Sequence, residues 1–227
     1  MSPNAAVMPL RVQGASARAV PAARARDPER TVADILAVAT REFADKGLAG
    51  ARIDAIAAAT RTSKRMIYYY FGSKEGLYIA ALEEAYRSMR QTEATIRIAE
   101  LEPVEALRQL VAQTFDYQRG HPDFVRLVMT ENIHRGEFLA RSKTIRELNL
   151  PAIDALGALY RRGVDSGLFR AGIDLVDLHL SISSLCFFYV ANQHTFGLIF
   201  KRRLDSRKQV DARRETTVEM VLRYVQA

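Results

Sequence analysis

Apolar residues recur at spacings of three and four along most of the chain, and the polar breaks between these runs predict about nine helices. The first stripe is Val32, Ile35, Leu36, Ala39 and Phe43. Asp27-Pro28-Glu29 opens it, because proline is tolerated at the first helical position and acids suit the first turn, and Gly47 ends it. Ile53, Ile56 and Ala57 make a short second stripe. Thr60-Arg61-Thr62 breaks it, and Ile67, Tyr70 and Phe71 resume the pattern in a third helix that Ser63 can cap with its hydroxyl. Gly72-Ser73 closes that helix, and Ser73 can cap a fourth whose first residue is Lys74.

Downstream the pattern continues through Leu77, Ala81, Leu82, Ala85 and Met89 toward Ile98. Glu102-Pro103 precedes a fifth helix over 104–119, which Gly120-His121-Pro122 stops; a sixth covers 123–134. The seventh is expected over about 138–164 with a bend or break near Pro151. Ile173-Asp174 opens an eighth helix that is apolar on most sides and ends before Lys201, so every side of it needs cover. The ninth, about 211–224, carries Val218, Val221, Leu222 and Val225 as its stripe. No stretch alternates as a strand does, so the expected fold is all-α.

The third helix changes the picture from architecture to chemistry. With Ile67 and Phe71 turned inward, Lys64, Arg65, Tyr68 and Tyr69 fall on or near the opposite face, two cations and two phenols within about one and a half turns. That face suits a phosphate-lined groove. Lys74 puts a cation in the first turn of the fourth helix, where it opposes the helix dipole and invites an external anion. Charge follows the same geography. The formal net charge is +7; residues 1–75 hold 12 Lys and Arg against 7 Asp and Glu, and the remainder 21 against 19. Residues 1–26 hold four arginines, three prolines and no acid, which predicts a disordered basic arm.

Here the chain resembles the tetracycline-repressor (TetR/AcrR) transcription factors. The residues that carry the likeness are Ile56-Ala57-Ala58-Ala59-Thr60-Arg61-Thr62-Ser63, then Ile67-Tyr68-Tyr69-Tyr70-Phe71, then Lys74, within a match covering roughly 31–82. Arg61 stands where the family usually has glycine. The resemblance implies a three-helix helix-turn-helix DNA-binding module over 27–73 and a helical effector-binding and dimerisation domain over 74–227. It implies that Lys64, Tyr68, Tyr69 and Lys74 hold the DNA backbone, that Thr62, Ser63 and Arg65 approach base edges, that Arg52 also belongs to the DNA-binding set, and that the last two helices join a second copy. The segment 121–194 is similar to effector domains of members that control catabolism of small aromatic or nitrogen-containing compounds. The expected function is a homodimeric regulator, most simply a repressor, that binds palindromic operator DNA and is released by a small-molecule effector.

Polar and aromatic residues within the apolar helices are the candidates for an effector cavity: Tyr117, Arg126, Asn132, His134, Tyr189 and Asn192, with His194 and Arg141 beside them. The enzymatic alternative is a helical metal-binding bundle. Glu131-Asn132-Ile133-His134 is half of a di-iron motif, but no second copy exists. Cys186 is the single cysteine, so no intrachain disulfide or cysteine-rich zinc site is possible. It falls in the most apolar helix, where a thiol is usually inert. No cofactor or metal is expected. No apolar run approaches the ~20 residues of a membrane span, and a soluble, cytoplasmic protein is expected.

Overall fold

In the computed structural model, residues 27–227 are described; the expected basic arm lies outside them. Nine α-helices make up the described residues, which contain no strand beyond one isolated bridge. They are α1 (Pro28–Gly50), α2 (Ile53–Ala59), α3 (Lys64–Phe71), α4 (Lys74–Ala94), α5 (Pro103–Gly120), α6 (Pro122–Ile133), α7 (Lys143–Asp165), α8 (Leu175–Ile199) and α9 (Arg207–Val225).

The N-terminal end is built by local signals. The Asp27 carboxylate accepts the Glu29 amide at 3.1 Å and starts α1. Gly47, at φ 65°, interrupts α1 one turn before its end. Ile35, Ala39 and Phe43 of α1, Ile56 of α2, Ile67 of α3 and Leu77 of α4 close over one another as a small core. That core continues downstream. Phe43 meets Tyr78 edge-on at 5.1 Å between ring centroids, Tyr78 meets Phe138 at 5.3 Å, and Leu127, Ile145 and Val190 belong to the same cluster. A second core, with Leu107, Val111, Leu156, Leu159, Leu178 and Val221, joins α5, α7, α8 and α9.

Three helix expectations are corrected. The fourth helix stops at Ala94 rather than near Ile98, because residues Ile98–Glu100 tighten into a 3₁₀ turn. The Arg162 guanidinium fixes that turn by donating to the carbonyls of Ile98 and Ala99 at 3.1 Å and to that of Leu101. The seventh starts at Lys143, not 138, because the Ser142 hydroxyl caps it by accepting the Ile145 amide at 3.1 Å. It then runs through Pro151 as one helix. Pro151 and Glu147, whose carbonyl would have received the missing N–H, are both exposed, so the lost bond falls on the solvent side of the helix.

The end of the chain is tied back by the Arg170 amide, which donates to the Val225 carbonyl at 2.8 Å beside a bridge between Phe169 and Gln226. The Phe169 ring fills the space over Gly163, where a Cβ would lie 2.0 Å from it. Helix α8 is covered on one side only. Leu178, Ile182, Cys186 and Val190 are buried, whereas Val176, Leu180, Leu198 and Ile199 are 62, 59, 81 and 69% exposed. Its length and composition equal those of a membrane-crossing helix, although Ser181, Ser183, Ser184, Asn192 and Gln193 interrupt any unbroken apolar run.

Candidate functional site

The turn between α2 and α3 closes with the Thr62 amide donating to the Ala57 carbonyl at 3.0 Å and the Arg61 amide to that of Ala58 at 3.2 Å. Arg61 sits at φ 51°, the left-handed region that favours glycine and costs other residues about 1–2 kcal/mol. Ser63 then caps α3 by accepting the Met66 amide at 3.2 Å. Ile67 is fully buried, Tyr70 and Phe71 are half-buried, and Lys64, Arg65, Tyr68 and Tyr69 are exposed, Tyr69 at 77%. The outward face is the one the spacing predicts.

Two of the predicted DNA-contacting cations have partners within the chain. Lys64 forms an ion pair with Asp54 of α2, both about half exposed, which is worth little in water. Lys74 is half-buried and its ammonium donates to the Ala49 carbonyl at 3.3 Å, where α1 ends. The negative charge suited to the start of α4 comes from Glu75, beside a Ser73 hydroxyl that accepts the Gly76 amide at 2.9 Å. Arg52 is exposed before α2; its amide donates at 3.1 Å to Glu42, whose carboxyl is held below its ordinary value chiefly by Lys46. Thr62 is half-buried and Ser63 exposed.

The six effector candidates are not brought together. Tyr117 is buried, its phenol donating to the Ala85 carbonyl at 3.3 Å and its ring stacked on His121 at 4.0 Å. Both line a cleft of about 760 Å³ between α1, α4 and the α5–α6 elbow. Tyr189, whose phenol donates to the Leu204 carbonyl at 2.6 Å, and Asn192 line a separate groove of about 360 Å³ between α8 and α9. Arg126 is exposed and pairs with Asp45 of α1. Asn132 is exposed and turns its amide back onto the Val128 carbonyl at 2.9 Å; His134, His194 and Arg141 are also at the surface. Such residues answer to their own helix rather than to a common centre.

The bundle reading meets the same dispersion. Glu131 is buried, and its Oε2 accepts the Leu139 amide at 2.9 Å, while His134 faces out. Among the described residues no three His, Cys, Asp or Glu side chains are grouped to hold a metal. Burial pushes the Cys186 thiol up to about 12, which leaves it protonated at neutral pH.

Sequence reasoning missed the Arg90–Glu93 ion pair, whose side chains are each only 11% exposed. It lines a cavity of about 350 Å³ between α4, α5 and α7, walled otherwise largely by apolar groups including Leu110, Leu148, Pro151 and Leu156. The Arg90 Nε donor, buried, has no hydrogen-bond partner. Burial raises the Glu93 carboxyl above its ordinary value, against the opposing pull of Arg90. The signal was present in the sequence: Leu82, Tyr86, Met89 and Glu93 follow one 4-3-4 stripe, which puts an acid on the packed face of α4.

Two family models match the chain. Residues 35–81 match the model described as bacterial regulatory proteins, tetR family, and residues 103–221 match the tetracyclin repressor-like C-terminal domain. The HTH-type transcriptional repressor NicS of Pseudomonas putida is 42% identical over 174 residues, covering 77% of this chain and 82% of that protein. Among solved structures, a bacterial regulatory protein in the tetR family from Rhodococcus RHA1 superimposes with a TM-score of 0.68 at 21% identity, over 87% of this chain and 98% of that one. The ketosteroid transcriptional regulator KstR2 of Mycobacterium tuberculosis gives 0.64 at 18%, over 92% and 100%.

Proposed function

The chain belongs to the tetR family of bacterial regulatory proteins and is a transcriptional regulator; from that premise we propose that it is a cytoplasmic repressor. It binds a palindromic operator as a homodimer, and a small molecule held in its C-terminal domain releases it. The observation that carries the DNA part is the outward face of α3, where Arg65, Tyr68 and Tyr69 stand exposed on a helix anchored by Ile67. Lys64, Tyr68, Tyr69 and Arg52 hold phosphates; Arg65, Thr62 and Ser63 approach base edges in the major groove. Lys74 supports this face through the end of α1 as much as through the backbone of the duplex.

One copy of so short a helix reads one half-site weakly. Two copies spaced by one or two turns of duplex, ~34 Å each, read a palindrome. The uncovered apolar side of α8, with Met220 and Tyr224 of α9 beside it, supports joining through the last two helices. Control then needs a ligand that prefers the dimer geometry with misplaced readers, and a coupling of about 1–3 kcal/mol suffices for 5- to 150-fold. Helix α4 is the lever, since it starts against the reader and runs along α7.

Selection from a pool of random duplexes should enrich an inverted repeat. With two or three phosphates neutralised per half-site, the slope of log affinity against log salt is expected at roughly −4 to −5 per dimer. Arg65→Ala should relax base preference at one position per half-site, at about 1–3 kcal/mol. A pool that yields no repeat, or an Arg65→Ala protein with unchanged preference, overturns the assignment of α3.

A further inference from the structure

We infer that the cavity between α4, α5 and α7 takes a small organic acid, with its carboxylate seated on the Arg90 guanidinium. This rests on the reading that the C-terminal domain holds an effector, and it names that effector's chemical class. A guanidinium nearly nine-tenths buried has to spend its donors inside the protein. Glu93 occupies Nη1 of Arg90, and Nε is left without an acceptor beside the cavity. An acceptor brought in by a ligand completes the set, and a carboxylate does so with charge as well as geometry. The remaining walls want an apolar body. About 350 Å³, near the lower end of the roughly 300–1,000 Å³ usual for ligand pockets, limits that body to something like one ring or a short chain.

A second carboxylate at Arg90 would put two acids around one cation, and Glu93 is the one able to yield. It takes a proton from solvent and, as a neutral acid, donates its O–H to the ligand carboxylate, so the complex carries one anion against one cation. The groups around Glu93 permit this. Arg90 and Tyr86 are on its own helix, and Arg97 and Glu100 lie in the following turn; Leu110 of α5 and Leu148 and Leu156 of α7 line the cavity, and Tyr117 of α5 lies within electrostatic reach of both Arg90 and Glu93. Both phenols are pushed above their ordinary values chiefly by burial, so neither adds a charge between pH 6 and 8. From α8, His179 is held below its ordinary value, chiefly by burial and then by the Arg90 charge. The Glu93 carboxyl already lies above its ordinary value. Affinity for the acid therefore rises as pH falls, by up to about tenfold per unit while Glu93 is ionised in the free protein.

The test uses the full chain and matched probes: benzoate with benzamide, phenylacetate with phenylacetamide, hexanoate with hexanamide, titrated calorimetrically near pH 6 and near pH 8 with thermal shift as a second readout. At least one acid should bind about tenfold or more tightly than its amide, with the advantage larger near pH 6. Arg90→Gln should erase the difference. Because a buried arginine can matter to folding, Glu93→Gln is the second variant: it should keep the acid and lose the pH dependence. Amides that match their acids throughout, or a Glu93→Gln protein whose binding still follows pH, overturn the inference. An acid that binds in this way yet leaves operator affinity unchanged defeats the effector reading and leaves the site standing. A neutral compound that releases operator, with no acid outbinding its amide, does the reverse.

Discussion

Helices α3 and α8 both leave side chains uncovered in the single chain, and they leave opposite kinds. Helix α3 turns out Arg65 and two phenols, with Lys64 held lightly by Asp54; α8 turns out Val176, Leu180, Leu198 and Ile199. Cations and phenols are stable in water and gain when an ordered row of anions replaces it. Branched aliphatics gain only when water leaves altogether, at roughly 25 cal/mol per Å². One face thus waits for a polyelectrolyte and the other for a surface of its own kind. Both demands are visible before any partner is placed.

The sharpest way to break this contrast is to make α8 resemble α3. Leu180→Glu should raise the dimer dissociation constant about 100-fold or more, in line with the 2–4 kcal/mol lost when a buried interface anchor is removed. Sedimentation would read it directly, and the salt slope of operator binding should fall toward half. A protein that stays dimeric would show that some other surface joins the copies. A smaller effect is expected at the joint that sets the angle of α3. Gly76→Ala brings a Cβ to 2.1 Å from the Phe71 carbonyl oxygen, which belongs to backbone and cannot swing aside. It should cost about 1–3 kcal/mol in thermal unfolding and weaken operator binding while the dimer persists. The smallest effect tests how lightly Lys64 is held. Asp54→Asn should strengthen DNA binding by no more than about fivefold, since an exposed pair is worth at most ~1 kcal/mol. Weaker binding instead would mean that Asp54 aims Lys64 at the phosphates.

The two ends of the molecule also differ in how far a sequence exposes them. In the reader, the caps that start α3 and α4 lie within a few residues of their partners. Ser63 caps Met66, Ser73 caps Gly76, and Ile67 closes the core one turn from the cap. A linear pattern holds all of that, including the left-handed Arg61 where the family usually has glycine. The C-terminal domain is assembled across distance. Tyr117 meets Ala85, and the cavity beside Arg90 needs α4, α5 and α7 at once. Choosing polar residues by composition therefore gathered Asn132, His134 and Arg126, which lie on the surface, and passed over Glu93, whose charge suggested solvent although its place on the stripe of α4 did not. One helix end failed for a related reason: Arg162 fixes the turn after α4 from a helix about 60 residues away, a contact no window of sequence contains. The start of α7 failed otherwise, because the Ser142 cap is a local signal that the apolar stripe running through Phe138 concealed.

The Lys74 ammonium bound to the Ala49 carbonyl has a mechanical meaning. It ties the first residue of α4 to the end of α1, so on the proposed reading a push arriving along α4 would reach α1 as well as α3 and turn the headpiece rather than bend it. A switch of this design would spend its free energy on where the headpiece points and leave its shape alone, so that residues setting sequence preference and residues setting inducibility would be separate.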